Sequence, residues 1–255
     1  MSNEQRIANQ KISKQKTVQQ KTLGIIGGMS WESTQSYYRL INEGIKAELG
    51  NLHSADLLIH SVNFAPIGAL QAQGRWEELG EIMVSSGKRL KAGGVDAILI
   101  ATNTMHKVAQ QVQAATNLPL IHIADATADV IKQQGLTKIV LLGTQFTMTE
   151  DFYKQRLIDA GLQVLIPDAD ARAEVHHIIY DELCQGQFLD SSRQYYRQVI
   201  EDLAGQGAEG VILGCTEIGL LIKQADSPIP VFDTTAIHAA AAVQFLLDNT
   251  KSCSK

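Results

Sequence analysis

Residues 94–104 read GVDAILIATNT and residues 207–217 read GAEGVILGCTE, and the two stretches overlay without a gap. Each starts at a glycine, runs through a short aliphatic stretch and ends in small polar residues. Such a run, bounded by turn residues, is the pattern of a strand buried on both faces, and these belong to parallel sheets covered by helices. The overlay sets Thr102 opposite Cys215.

The flanking segments repeat in the same order. LGIIGGMS at 23–30 answers VLLGTQFTM at 140–148, with Gly27 matching Gly143 at an offset of 116. DLLIHS pairs with QVLIPD, and LPLIHIAD pairs with IPVFDTTA through Pro119 and Pro230. Eight strands are therefore predicted, at 23–26, 57–60, 97–100, 120–123, 139–142, 164–166, 211–213 and 231–232. Helical stretches separate them, with apolar residues at i, i+3 and i+4: Tyr37, Leu40, Ile41 and Ile45 in one, Ile178, Ile179, Leu183 and Cys184 in another. The predicted fold is α/β: two pseudo-symmetric, open parallel-sheet (Rossmann-like) domains with the active site in the cleft between them. The expected domains are 21–133 and 134–247, with the C-terminal helix free to return to the first. Residues 1–20 and 248–255 read as tails, the first rich in Gln, Lys, Asn and Ser and expected to be disordered.

The chain has 255 residues, 45% of them hydrophobic, and 22 Lys+Arg against 27 Asp+Glu give a formal charge of −5. No basic field exists to hold nucleic acid or an anionic membrane surface. Cys184, Cys215 and Cys253 lie far apart, without CxxC spacing, so neither a disulfide framework nor a zinc ribbon is expected. A reduced, cytoplasmic setting fits that usage. No apolar run approaches the ~18 residues of a spanning helix. GIIGGMS lacks the GxGxxG fingerprint and the P-loop lysine, so nucleotide binding is a weak reading. No HExxH or tight His/Asp cluster suggests a metal, and neighbouring His176 and His177 point about 100° apart on a helix. No cofactor is expected.

In open parallel sheets ligands bind beyond the carboxyl ends of the strands, where turns expose backbone N–H groups and helix N-termini. The polar turns fall at that edge: Gly28-Met29-Ser30, Thr102-Asn103-Thr104, Gly143-Thr144 with Thr147, and Cys215-Thr216-Glu217.

GIIGGMSWEST at 24–34, ATNTMHK at 101–107, GTQFTM at 143–148 and GCTEIGLL at 214–221 together resemble the aspartate/glutamate racemase family, whose members need no pyridoxal phosphate. The resemblance runs from about residue 21 to residue 247. It implies a two-domain pseudo-symmetric fold, often dimeric, with one thiol on each face of the substrate Cα. The chemistry demands such a pair, because a carbanion beside a carboxylate has no electron sink and must be handled by positioning and electrostatics alone.

Cys215 is the expected general base, at a strand end where a following helix would lower its thiol pKa. The bland alternative is a buried small hydrophobe. Glu217 is placed to orient or deprotonate it. Ser30, Asn103, Thr104 and Thr216 are candidate donors to the substrate α-carboxylate, and Met29, Thr144 and Thr147 line the same expected cleft. His106 reads equally as a catalytic or a packed histidine.

Thr102 departs from the family pattern, standing where its first catalytic cysteine would be. A threonine hydroxyl titrates far above neutrality, so Thr102 can relay a proton or hold water but cannot be a stored base. The expected enzyme is therefore lopsided, with strong preference for one enantiomer. Arg172 is the candidate partner for a side-chain carboxylate of aspartate or glutamate. Gln71, Gln73 and Arg75 offer further polar contacts, while Glu174, near a place where the family often carries a basic residue, would oppose an acidic substrate. Trp31 either shields the cleft or packs. Two other readings fit the same residues: a single-cysteine decarboxylase or isomerase of the same superfamily, and a non-catalytic amino-acid binder.

Overall fold

The computed structural model describes residues 20–248. The expected tails, and Cys253 with them, lie outside the described residues apart from Gln20 and Asp248. In chain order the first half contains β1 (Leu23–Gly27), α1 (Trp31–Leu49), β2 (Leu57–Ser61), α2 (Phe64–Ala72), α3 (Trp76–Ala92), β3 (Ala97–Ile100), α4 (Ala109–Thr116) and β4 (Leu120–Ile121). There follow α5 (Ile123–Gln133), β5 (Lys138–Gly143), α6 (Gln145–Thr149), α7 (Asp151–Asp159), β6 (Gln163–Leu165), α8 (Ala169–Asp181), α9 (Asp190–Gly205), β7 (Gly210–Gly214), α10 (Ile218–Leu221), β8 (Val231–Asp233) and α11 (Thr234–Leu247).

Two four-stranded sheets form, ordered β2-β1-β3-β4 and β6-β5-β7-β8. All pairings are parallel, with Leu23 opposite both Leu57 and Ala97 in one sheet and Val140 opposite Val211 in the other. All eight predicted strands are present, and the repeat pairs strands of equivalent place in the two sheets. β4 is shorter than the expected 120–123, because His122 turns out of the strand to cap α5, its side chain accepting from the Ala124 N–H.

Successive strand residues point to opposite faces, so each sheet feeds two cores. Ile98 and Ile100 pack against α3 through Leu79, Met83 and Leu90. Ala97 and Leu99 pack on the other face against Tyr37, Ile41 and Ile45 of α1. In the second sheet Val140 and Leu142 meet α8 and α9, while Ile139 and Leu141 meet Tyr153 and Leu157 of α7.

The covering helices are exchanged at the junction. Ile123, Ala124, Ala128 and Ile131 of α5 belong to the core of the second sheet, although the sequence reading groups them with the first half. Conversely, α11 lays Ala239, Ala242, Val243 and Leu246 on the first sheet. Each sheet thus borrows its last covering helix across the junction, which holds the two sets of carboxyl strand ends together.

Candidate active site

The turns after β1, β3, β5 and β7 meet one another, as hydrogen bonds between the halves show. Gly28 makes the first turn possible: its φ is +90°, and a Cβ there would lie 2.2 Å from the Val62 carbonyl oxygen. Gly143 and Gly214 let β5 and β7 end side by side, since a Cβ on Gly143 would come 2.8 Å from the Gly214 carbonyl. Ser30 follows as the N-cap of α1, accepting from the Ser33 N–H at 3.2 Å.

Glu217 is the centre of the arrangement. Ser30 Oγ donates to its Oε1 across the junction at 2.6 Å, while Thr216 Oγ1 and Cys215 Sγ donate to its Oε2 at 2.5 and 3.1 Å. All four residues are buried, Cys215 to 8% exposure. The expected lowering of the Cys215 pKa is corrected. Burial, and then the Glu217 carboxylate beside it, push the thiol well above its ordinary range. The helix that follows, α10, has only four residues and adds little dipole to oppose them.

Thr102 stands half-buried at the end of β3, in the place equivalent to Cys215. Asn103 Nδ2 donates to Thr234 Oγ1 at 3.1 Å, and Thr234 donates to the Leu213 carbonyl in β7 at 2.8 Å. Asn103 Oδ1 is buried without a partner among the described residues. Thr104 and Thr144 hydroxyls meet at 3.1 Å, and Thr144 meets Thr147 at 3.2 Å. Ser30, Cys215, Thr216 and Glu217 thus form one cluster, while Asn103 reaches Thr234, and Thr104 reaches Thr144 across the halves.

Others take different places. Met29 packs in the core of the first half beside Ile67 and Met105. Gln71 is buried between the halves, accepting from Tyr180 Oη at 3.1 Å and donating towards Met105 Sδ. Arg172 donates to the Pro167 carbonyl at 2.7 Å, and no hydrogen bond among the described residues joins it to the cluster. Gln73 and Arg75 are exposed, the latter paired with Glu78. Glu174 is exposed, and so is Trp31, at 65%. Cys184 lies in a 3-10 turn, Leu183–Gln185, rather than on a helix face, and packs against the core that holds Cys215.

Both ring nitrogens of His106 are engaged. Its Nδ1–H donates to the Thr102 carbonyl at 2.8 Å, and its Nε2 accepts from the Ile123 N–H at 3.3 Å. Burial lowers its pKa to about 4. It packs edge-on against His122 and His238. Tyr180 and His238 escape notice in the sequence, because a lone polar residue in an amphipathic helix carries no periodic signal.

Among the described residues no group of His, Cys, Asp or Glu is arranged to hold a metal ion, and no helix is long and apolar enough to cross a membrane. Residues 26–242 match the model of the Asp/Glu/Hydantoin racemase family. A broad specificity amino-acid racemase, RacX of Bacillus subtilis (strain 168), is 25% identical over 228 residues, 88% of this chain and 98% of its own. A crystal structure from Yersinia pestis, described as a candidate Asp/Glu racemase, superposes with a TM-score of 0.84 at 52% identity, covering 89% of this chain and 100% of that one. An aspartate racemase homologue from Pyrococcus horikoshii OT3 superposes with a TM-score of 0.77 at 36% identity, again over 89% and 100% of the two chains. With a matching model over most of its length and the paired-sheet architecture of these relatives, the chain belongs to the Asp/Glu/Hydantoin racemase family of isomerases.

Proposed function

We propose that the protein is a cofactor-independent amino-acid racemase in which Cys215 is the base on one face of Cα, and Thr102, or water beside it, serves the other. The observation that carries this reading is the Cys215 thiol donating to a Glu217 carboxylate that Ser30 anchors from the opposite half. Substrate binding brings an α-ammonium to this cluster, and the unpartnered Asn103 Oδ1 is an acceptor suited to it. A cation there favours the thiolate. The thiol proton passes to Glu217 Oε2 along the existing bond, and the thiolate takes the Cα proton. The electron pair moves onto the α-carboxylate, for which Ser30, Thr104 and Thr216 are the candidate donors; Ser30 and Thr216 give their protons to Glu217 beforehand and turn to the substrate once that carboxylate is protonated. Water beside Thr102 gives a proton to the opposite face, and the hydroxide left behind is neutralised by the proton that Glu217 took, which restores the Cys215 thiol and the Glu217 carboxylate.

Aspartate and glutamate are the proposed substrates, with Arg172 as the partner for the side-chain carboxylate; one of its N–H groups meets the Pro167 carbonyl, and its charge and remaining donors are free for that role. The same reading keeps the protein in a reduced cytoplasmic setting as a homodimer.

Single-turnover Cα–H exchange in heavy water, followed by proton NMR for both enantiomers, tests the proposal. One enantiomer is expected to exchange about tenfold faster or more, since only one face has a stored base. Equal rates would overturn the lopsided mechanism. Carbon dioxide release or alkene isomerisation without exchange would identify a single-thiol relative instead.

A further inference from the structure

We infer that Arg193, which stands outside the thiol cluster, is a positioning residue for it: the guanidinium pins the far end of α10 and so holds Glu217, at the near end, against Cys215. The inference rests on the racemase reading above and adds to it the residue that fixes the proton acceptor. α10 has Glu217 as its N-cap and ends at Leu221, a single turn closed by the Ile222 N–H donating to the Ile218 carbonyl at 2.8 Å. One isolated turn does not hold itself together, because its few hydrogen bonds do not offset the ordering of its backbone. Its place is set from outside.

Ile218 and Leu221 are buried in the core of the second sheet, and Gly219 lies so close to α11 that a Cβ there would stand 2.7 Å from Asp233 Oδ2. Apolar burial has no direction, and it leaves the last carbonyls of the turn without partners inside the helix. Two of these are taken by cations. Lys223 donates to the Gly219 carbonyl, a tie within the same segment that moves with it. Arg193 donates through Nη1 to the Leu221 carbonyl from the first turn of α9, 28 residues away, and therefore fixes the turn to another element.

Arg193 is itself held. Its Nη1 also reaches Asp226 Oδ2 at 3.3 Å, and its Nε lies 3.7 Å from Asp190 Oδ1. Asp226 Oδ2 accepts in turn from the Lys223 N–H at 2.9 Å, so one guanidinium ties together both ends of the segment that follows α10. α9 is a firm base for it, with Tyr196, Val199, Ile200 and Leu203 buried in the core that contains Cys215. A rigid fork of several donors can bridge two partners, which a lysine ammonium does less well. Among the described residues none of the hydrogen bonds of Arg193 goes to Ser30, Cys215, Thr216 or Glu217. At the other end of the turn Glu217 Oε2 lies 3.1 Å from Cys215 Sγ, and a displacement of about 1 Å there is enough to cost about 10²-fold in rate.

The test uses the full chain and two readouts: Cα–H exchange of aspartate and glutamate, and the pH midpoint of Cys215 alkylation by iodoacetamide, read by mass spectrometry. Arg193→Met is expected to lower kcat about tenfold or more while KM changes less than about twofold. It is also expected to move the alkylation midpoint to lower pH, because the Glu217 carboxylate is no longer fixed beside the thiol. Arg193→Lys keeps a cation in reach of the Leu221 carbonyl and is expected to recover part of both effects. In a Glu217→Gln background Arg193→Met is expected to shift the midpoint no further, since the group through which it acts is gone. A midpoint unmoved by Arg193→Met, even with a lower melting temperature, or a shift of equal size with and without Glu217, would overturn the positioning role and leave Arg193 as a support of the fold alone. If the midpoints respond as expected and no amino acid exchanges, the hold on Glu217 stands while the racemase reading falls.

Discussion

Glu217 accepts from three side chains, and two of them, Cys215 and Thr216, share its Oε2. That arrangement makes the carboxylate both the receiver of the thiol proton and a cause of the thiol's reluctance to lose it. Glu217→Gln keeps the shape and removes the charge. Exchange at Cα should drop about 10²-fold, the ordinary scale of a lost proton acceptor. Because a negative neighbour raises a thiol pKa, its removal should move the pH profile of Cys215 alkylation to lower pH, read by mass spectrometry of the Cys215 peptide. An unchanged exchange rate would show that the thiol does not use Glu217. Cys215 and Thr102 were legible as a pair in the repeat, whereas the raised thiol pKa was not. Sequence context suggested a helix terminus; only the packed structure shows a one-turn helix, a thiol just 8% exposed and a carboxylate 3.1 Å away.

The elements owe their positions to caps placed where strands end. Ser30, Thr144 and Asp233 each cap the helix that follows a strand, so the capping side chain sits at the cleft edge by construction. Asp233 is the clearest case: its Oδ1 accepts from the N–H groups of Thr235 and Ala236 at 2.9 and 3.2 Å, starting the helix that crosses back to the first sheet. Asp233→Ala should cost about 1 kcal/mol. For a chain of this size that is a fall of about 2–4 °C in melting temperature, measured by calorimetry or circular dichroism. No change would mean that α11 is held by its apolar face alone. Short aliphatic runs between turn residues made the strands legible. The partner sheet of α5 was not, because an amphipathic helix declares that it has an apolar face without declaring what covers it.

Across the whole molecule, the junction is held by a buried histidine cluster as well as by exchanged helices. His238 donates from Nε2 to the Ile121 carbonyl and accepts from Tyr37 at Nδ1, and burial lowers its pKa to about 3. His122 is shifted down as well, by burial and then by His106. The charged groups facing the cluster, Arg156 and its partner Asp125, stand outside it as an ion pair at 2.8 Å. In the folded state His106 and His238 stay neutral to about pH 4 and 3, whereas in the unfolded chain a histidine binds its proton near pH 6.5. Between those limits the unfolded state holds more protons, so stability is complete above about pH 6.5 and falls as the pH drops towards 4. The loss should be on the order of 3 kcal/mol per histidine by pH 4. Urea unfolding at pH 7 and pH 4.5 measures it, and a midpoint independent of pH would remove the cluster from the account. A proton added at His106 Nε2 would face the Ile123 N–H, which is why the junction resists it. By itself the sequence determined two like sets of four strands and the gathering of polar turns at one edge, because strand burial and turn chemistry are local properties. The order of the strands, which helix covers which sheet, that Met29 is spent on core packing, and that three histidines gather at the junction were decided only in the tertiary structure, where atoms far apart in the chain compete for the same partners.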